Sequence, residues 1–123
     1  MKALVVDDSQ IMRRIIVSVL KKAGVDDVVE VTNGQEAVDL LAQPNDVGLV
    51  LLDWNMPVMT GIEALTKIRT TNKALPVVMV TTESEKEKVV EAIKAGANDY
   101  LLKPFNPQDV QDKLAKHIEA LKK

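Results

Sequence analysis

Gly48-Leu49-Val50-Leu51-Leu52-Asp53 is an apolar run that stops on a carboxylate. Three further runs end on a polar group in the same manner. Ala3-Leu4-Val5-Val6 stops at Asp7-Asp8, Pro76-Val77-Val78-Met79-Val80 at Thr81, and Tyr100-Leu101-Leu102 at Lys103, with Pro104 behind it. Short β-rich apolar runs between helical patterns read as parallel strands buried on both faces. In open parallel sheets, ligands bind in the crevice beyond the carboxyl ends of the strands. Three carboxylates, one hydroxyl and one ammonium are therefore expected at one end of one sheet. That set suits a divalent metal ion and a phosphoryl group.

Working outward, strand and helix signals alternate five times. After Asp8, apolar residues recur at Ile11, Ile15, Ile16, Val19, Leu20 and Ala23, the stripe of an amphipathic helix, and Gly24 supplies its C-terminal cap. Val28 to Val31 reads as the second strand, and Gln35 to Ala42 as a helix that Pro44 ends. Thr60 with Glu63, and Ser84 with Glu87, have the spacing of capping boxes that open helices three and four, the latter ending at Ala95-Gly96. Helix five begins near Pro107 and carries Val110, Leu114, Ile118 and Leu121 on one face. This (βα)5 alternation predicts an α/β, doubly wound, five-stranded parallel sheet with helices on both faces. The expected strand order is 2-1-3-4-5, the flavodoxin-like order. It makes strands one and three neighbours and so brings Asp7, Asp8 and Asp53 together. Thr81 and Lys103 then follow on strands four and five.

The chain has 123 residues, so the expectation is a single domain over 1–123 without an output domain. Its hydrophobic fraction is 46% and its aromatic fraction only 2%, so aliphatic side chains must fill the core. There is no Cys, which excludes disulfides and thiolate metal sites. A formal net charge of -2 gives no basic footprint for nucleic acid. Lys113, Lys116, Lys122 and Lys123 suit the negative end of the last helix. No apolar run has the roughly 18 residues needed to span a bilayer, and because Met1-Lys2-Ala3 leads directly into a strand no signal peptide is expected. The expectation is a soluble, cytoplasmic monomer.

Crowded carboxylates repel one another unless a cation sits among them. Oxygen donors alone favour Mg2+ or Mn2+ over zinc. Asp53, on the middle strand of the group, is the natural acceptor of a phosphoryl group. Lys103 would pair with that group as a point charge and Thr81 would donate its hydroxyl. The arrangement acts by electrostatic positioning, since His117, the single His, lies on helix five away from the crevice. Each residue also has a plain structural reading: Asp8-Ser9 as a helix cap, Asp53 as a turn residue before Pro57, Thr81 as a β-branched strand residue, and Lys103 as a solvated loop lysine. Four strand ends carrying this chemistry together favour the functional reading.

At these residues the chain closely resembles the receiver domain of two-component response regulators, over essentially its whole length and most like the chemotaxis members. The matching features are Val6-Asp7-Asp8-Ser9, Asp53-Trp54-Asn55-Met56-Pro57, Thr81 and Lys103-Pro104-Phe105, with Glu83 and Tyr100 at the positions that chemotaxis members share. Thr82 is bulkier than the Ala often found there. The resemblance implies that a sensor histidine kinase or a histidine phosphotransfer domain donates a phosphoryl group to Asp53. It implies Mg2+ held by Asp8, Asp53 and the backbone carbonyl of Asn55, with Asp7 acting partly through water. Asn55 and Glu83 would flank the site and influence loss of the phosphoryl group. A cis peptide is implied at Lys103-Pro104.

The resemblance also implies a switch. Phosphorylation adds about two negative charges, Thr81 moves toward them, and Tyr100 turns inward. Tyr100 would thereby couple Asp53 to the face formed by helix four, strand five and helix five. Val89 and Ile93, one turn apart, would make an apolar strip on that face with Lys113 at its edge, for an amphipathic partner helix; both instead packing on the sheet is the plain alternative. The expected function is a phosphoacceptor signalling protein, not an enzyme. Its downstream target would be one such as a flagellar motor switch protein, or it would act as a phosphorelay intermediate or phosphate sink. An aspartyl-phosphate phosphohydrolase would want an Asp-x-Asp arrangement, which Asp7-Asp8 lacks. A nucleotide- or flavin-binding module would want a Gly-rich loop after strand one, where Asp7-Asp8-Ser9-Gln10 stands instead. A receiver that has lost phosphoryl uptake and works as a plain interaction module is disfavoured by the intact acceptor set.

Overall fold

The four apolar runs are all strands, and a fifth strand pairs at the edge. The computed structural model describes the backbone of residues 2–54, 56, 58–82, 86–103, 108–109, 111–113 and 115, and the side chains of these except 81, 82, 86–89, 102 and 103. In chain order the elements are β1 (Lys2–Val6), α1 (Gln10–Lys22), β2 (Asp27–Val31), α2 (Gly34–Ala42), β3 (Val47–Asp53), α3 (Gly61–Thr71), β4 (Val77–Thr82), α4 (Lys86–Lys94) and β5 (Asp99–Lys103). Residues 108–109, 111–113 and 115 are helical, where the last helix is expected. The sheet is entirely parallel in the order β2-β1-β3-β4-β5, as the alternation predicts.

Strand periodicity divides the core in two. Leu4, Val6, Val50, Leu52, Val77 and Met79 face one side and meet Ala37 of α2, Ala64, Leu65 and Ile68 of α3, and Ala92 of α4. Ala3, Val5, Leu49, Leu51, Val78 and Val80 face the other side and meet Ile16, Val19 and Leu20 of α1. Full burial of such a side chain contributes about 1.5–3 kcal/mol each, so both sheet faces are strongly driven to be covered.

Local signals set the helix ends. Ser9 caps α1, its hydroxyl accepting from Met12 N at 3.2 Å, and Gly24 follows the helix at φ 98°, the left-handed region open to glycine. Asn33 caps α2, and Thr60 with Glu63 forms the expected capping box of α3. Ser84 lies outside the described residues. One expectation needs correction: Ile11 and Ile15 are not on the buried stripe of α1 but are 73% and 39% exposed. At 3.6 residues per turn the stripe that reaches the sheet is Met12, Ile16, Val19, Leu20 and Ala23, and Ile11 and Ile15 lie on its flank.

Candidate functional site

Register decides what meets at the carboxyl ends of the strands. Val6 pairs with Leu52, so Asp7 and Asp53 are level on neighbouring strands. Asp53 pairs with Val80, which puts the backbone of Thr81 one step beyond it. Thr82 pairs with Lys103, so β4 and β5 end together, two residues beyond the level of Asp53. Asp7 and Asp53 are 1% and 5% exposed, while Asp8 reaches into solvent. One carboxylate oxygen from each of the three lies within 4.8 Å of the other two. The side chains of Thr81 and Lys103, and all of Asn55, Glu83, Pro104 and His117, lie outside the described residues.

The backbone around Asp7 is tightly specified. Asp7 N donates to Val31 O at 3.3 Å, the last bond of the β1–β2 ladder direction. Asp7 Oδ1 then accepts from Ser9 N at 2.9 Å, turning the chain into the cap of α1. The Asp7 carbonyl accepts from Arg13 Nη1 at 2.7 Å, and Arg13 Nε donates to Glu30 Oε1 at 3.2 Å. Asp8 is thus suspended between two fixed residues.

Asp53 is fixed from the other side. Trp54 N donates to Val80 O at 3.0 Å and Gly61 N to Trp54 O at 2.8 Å, which folds the loop after Asp53 back over the strand end. A Cβ at Gly61 would stand 2.2 Å from the Asp53 carbonyl oxygen, so only glycine permits α3 to start there. Within the same loop Val58 has φ 70° and is 79% exposed. A β-branched residue in that conformation is strained by about 1–2 kcal/mol. Such strain is a hallmark of loops whose shape the surroundings dictate.

The cluster's chemistry follows from its charges. Two unit charges at this separation repel by roughly 3 kcal/mol at an effective dielectric near 20. A hard divalent cation reverses the sign. The donors fit one: they are all carboxylate oxygens, at a separation a single small ion can bridge, in a chain without Cys.

At the far edge of the sheet, Tyr100 is half-buried and packs against the α2–α3 side of the core. Lys113 lies 4.5 Å from the centroid of its ring and 3.2 Å from Asp99 Oδ1, and the same Asp99 oxygen accepts from Tyr100 N at 2.9 Å. Asp99 is 7% exposed. A cavity of about 380 Å3 opens here, lined by Tyr100, Leu101, Asp109, Asp112 and Lys113. Lys113 therefore engages strand β5. Ile93 is 45% exposed, and Val90, which the sequence reading passed over, is 58% exposed. The side chain of Val89 lies outside the described residues. Arg13, Gly61, Val58 and Asp99 were also not anticipated. Only Gly61 had a local signal, a glycine directly after the capping residue Thr60.

The sequence pattern of the response regulator receiver domain matches residues 3–115. The chain belongs to that family. This receiver is 51% identical over 116 residues to a chemotaxis protein CheY homolog of Campylobacter jejuni, covering 93% of this chain and 89% of that one. It is 47% identical to chemotaxis protein CheY1 of Helicobacter pylori, covering 93% and 94%. Among solved structures it is similar to chemotaxis response regulator CheY4 of Vibrio cholerae, with a TM-score of 0.85, 37% identity and coverage of 94% and 97%. It is also similar to a probable two-component system response regulator/GGDEF domain protein, with a TM-score of 0.90 and 30% identity, spanning 51% of that longer chain. Receivers are signalling proteins that work with a histidine kinase and a downstream target, and the family generally binds Mg2+ at its acidic cluster. Among the described residues no helix is long and apolar enough to cross a membrane.

Proposed function

We propose that this receiver accepts a phosphoryl group on Asp53 from a phosphohistidine and relays the event to a partner in chemotaxis signalling. The observation that carries the reading is the meeting of Asp7, Asp8 and Asp53 within 4.8 Å at the ends of β1 and β3. Names of relatives at 47–51% identity support the chemotaxis assignment. In the transfer, the P–N bond of the donor breaks and its electron pair stays on the imidazole nitrogen. A P–O bond forms to an Asp53 carboxylate oxygen. Asp8, Asp53 and the Asn55 carbonyl would hold Mg2+, with Asp7 acting partly through water. When bound, the ion neutralises the carboxylates and polarises the phosphoryl oxygens.

Lys103 and Thr81 are the proposed partners of the phosphoryl oxygens, as an ammonium charge and a hydroxyl donor. Asn55 and Glu83 are proposed to set how quickly the acyl phosphate is lost. Tyr100 is the proposed reporter of the added charge. Val89, Ile93, Tyr100 and Lys113 form the proposed partner face, suited to an amphipathic helix of a target such as a flagellar motor switch protein. The exposure of Ile93 supports that use over packing on the sheet. The protein would turn over no external substrate beyond its own phosphoryl uptake and slow loss. Its proposed location is the cytoplasm, where kinases have ATP.

The test is intact mass after incubation with acetyl phosphate and Mg2+. One added phosphoryl group is expected, absent in Asp53→Asn and without the metal. An adduct that survives Asp53→Asn would overturn the assignment.

A further inference from the structure

We infer that Arg13 is a positioning residue for the carboxylate cluster, and that it tunes the affinity for the divalent cation by fixing the backbone that carries Asp7 and Asp8. The inference rests on the metal reading above. Its observations are independent of any ion. Arg13 stands in the first turns of α1, six residues beyond Asp7, and its side chain is only 13% exposed. Its guanidinium is divided between two acceptors. Nη1 donates to the Asp7 carbonyl at 2.7 Å, and Nε donates to Glu30 at the end of β2 at 3.2 Å.

The geometry explains why that carbonyl needs a partner from a side chain. β1 ends at Val6, so the Asp7 carbonyl lies just beyond the strand. The next two residues turn away, with Ser9 N bound to Asp7 Oδ1 and Ser9 capping α1. Arg13 returns from the helix to hold the point where the chain leaves the sheet. Glu30 in turn holds Arg13, so β2, the outermost strand on this side, is tied to the cluster through one side chain. Among the described residues, no side chain restrains the exposed carboxylate of Asp8 in this way. Its position follows from its two neighbours, Asp7 and Ser9, and hence from Arg13.

Two physical effects of Arg13 on a bound cation oppose each other. Its positive charge repels the ion. Its hydrogen bonds preorganise the ligands. The first is blunted, because Glu30 neutralises the guanidinium. The second depends on the planar fork, which reaches two acceptors at once. A lysine has one ammonium and serves this geometry poorly. Arg13→Lys therefore keeps the charge and loses the fork, while Arg13→Gln loses both. If positioning dominates, both variants bind Mg2+ more weakly. If charge dominates, Arg13→Gln binds more tightly and Arg13→Lys is unchanged.

The experiment is a Mg2+ titration of the full chain, read by the fluorescence of Trp54, its single Trp and the neighbour of Asp53. Calorimetry gives a second readout. Thermal melts in chelator confirm that each variant is folded at the titration temperature. We expect the Kd for Mg2+ to rise roughly 3- to 10-fold in both variants, at or just below the 10- to 100-fold that direct partners of metal ligands typically carry, because Arg13 acts through the backbone. Glu30→Gln, which removes only the outer anchor's charge, is expected to raise the Kd less. A tightened Kd in Arg13→Gln, or an unchanged Kd in a folded Arg13→Lys, would overturn the inference while leaving the metal site intact. Absence of Mg2+ binding by the unaltered chain would overturn the metal reading and the inference with it.

Discussion

Asp7 and Asp53 are almost fully buried and are gripped on both sides by backbone hydrogen bonds, whereas Tyr100 is half-buried beside a cavity, with Lys113 lying over its ring. Both regions belong to one sheet, and β3, β4 and β5 connect them in register. The first is built to hold charges at fixed separations. The second leaves open space beside a partly exposed ring. The proposed switch would use this division: Asp53 would be positioned before chemistry, and Tyr100, the proposed reporter, would move after it.

The contrast can be broken most forcefully at Gly61. Gly61→Ala puts a methyl carbon where only 2.2 Å separates it from the Asp53 carbonyl. Denaturant unfolding should show a loss of roughly 3 kcal/mol, together with loss of the phosphoryl adduct. An equivalent small insertion near Tyr100, where the cavity has room, should cost far less.

Asp8→Asn sharpens the same comparison from the electrostatic side. It removes one of three like charges and leaves the backbone alone. Stability without divalent metal should rise by about 1 kcal/mol, a figure already reduced for the exposure of Asp8. The stabilising shift expected on adding Mg2+ to the unaltered chain in thermal melts should largely vanish.

Lys113→Ala probes the adjustable region. It removes an ion pair with Asp99 and the contact with Tyr100. The expected loss is about 1 kcal/mol, with phosphoryl uptake unchanged. NMR of Tyr100 should show more side-chain motion without phosphorylation. Unchanged Tyr100 dynamics would mean that Lys113 is not what holds the ring.

The smallest effect lies at the amino ends of the strands, away from both regions. Lys2 pairs with Asp46 at 2.9 Å, and its hydrogen bond and charge hold the Asp46 carboxyl below its ordinary value of 3.8. A depressed carboxyl contributes stability above its unfolded pKa and loses it as pH falls through the folded one. Asp46→Asn should therefore lower stability slightly at neutral pH and leave it unchanged in strong acid. Asp46 is exposed and Lys2 partly so, so salt should shrink the difference.

Much of this was legible because it is local or periodic. Apolar runs ending on Asp7, Asp53, Thr81 and Lys103 reveal strand ends, and parallel alternation then dictates which ends are adjacent. The Thr60–Glu63 box and Gly24 are short-range signals that the fold keeps. What escaped is long-range or geometric. Arg13 meets Asp7 and Glu30 only once α1 has docked, and Lys113 meets Asp99 across 14 positions of chain. Ile11 and Ile15 fit a helical period, but a period does not say which flank faces the sheet. Val58 takes a left-handed conformation that no valine announces.

The most direct measurement concerns which carboxylate reacts. The chain is incubated with acetyl phosphate and Mg2+, reduced with borohydride, which converts an aspartyl phosphate to homoserine, and mapped by peptide mass spectrometry. The account predicts homoserine at position 53, with Asp7 and Asp8 intact. Homoserine at position 7 or 8, or modification spread over all three, would contradict the assignment of Asp53 as acceptor and of its neighbours as the groups that hold the metal.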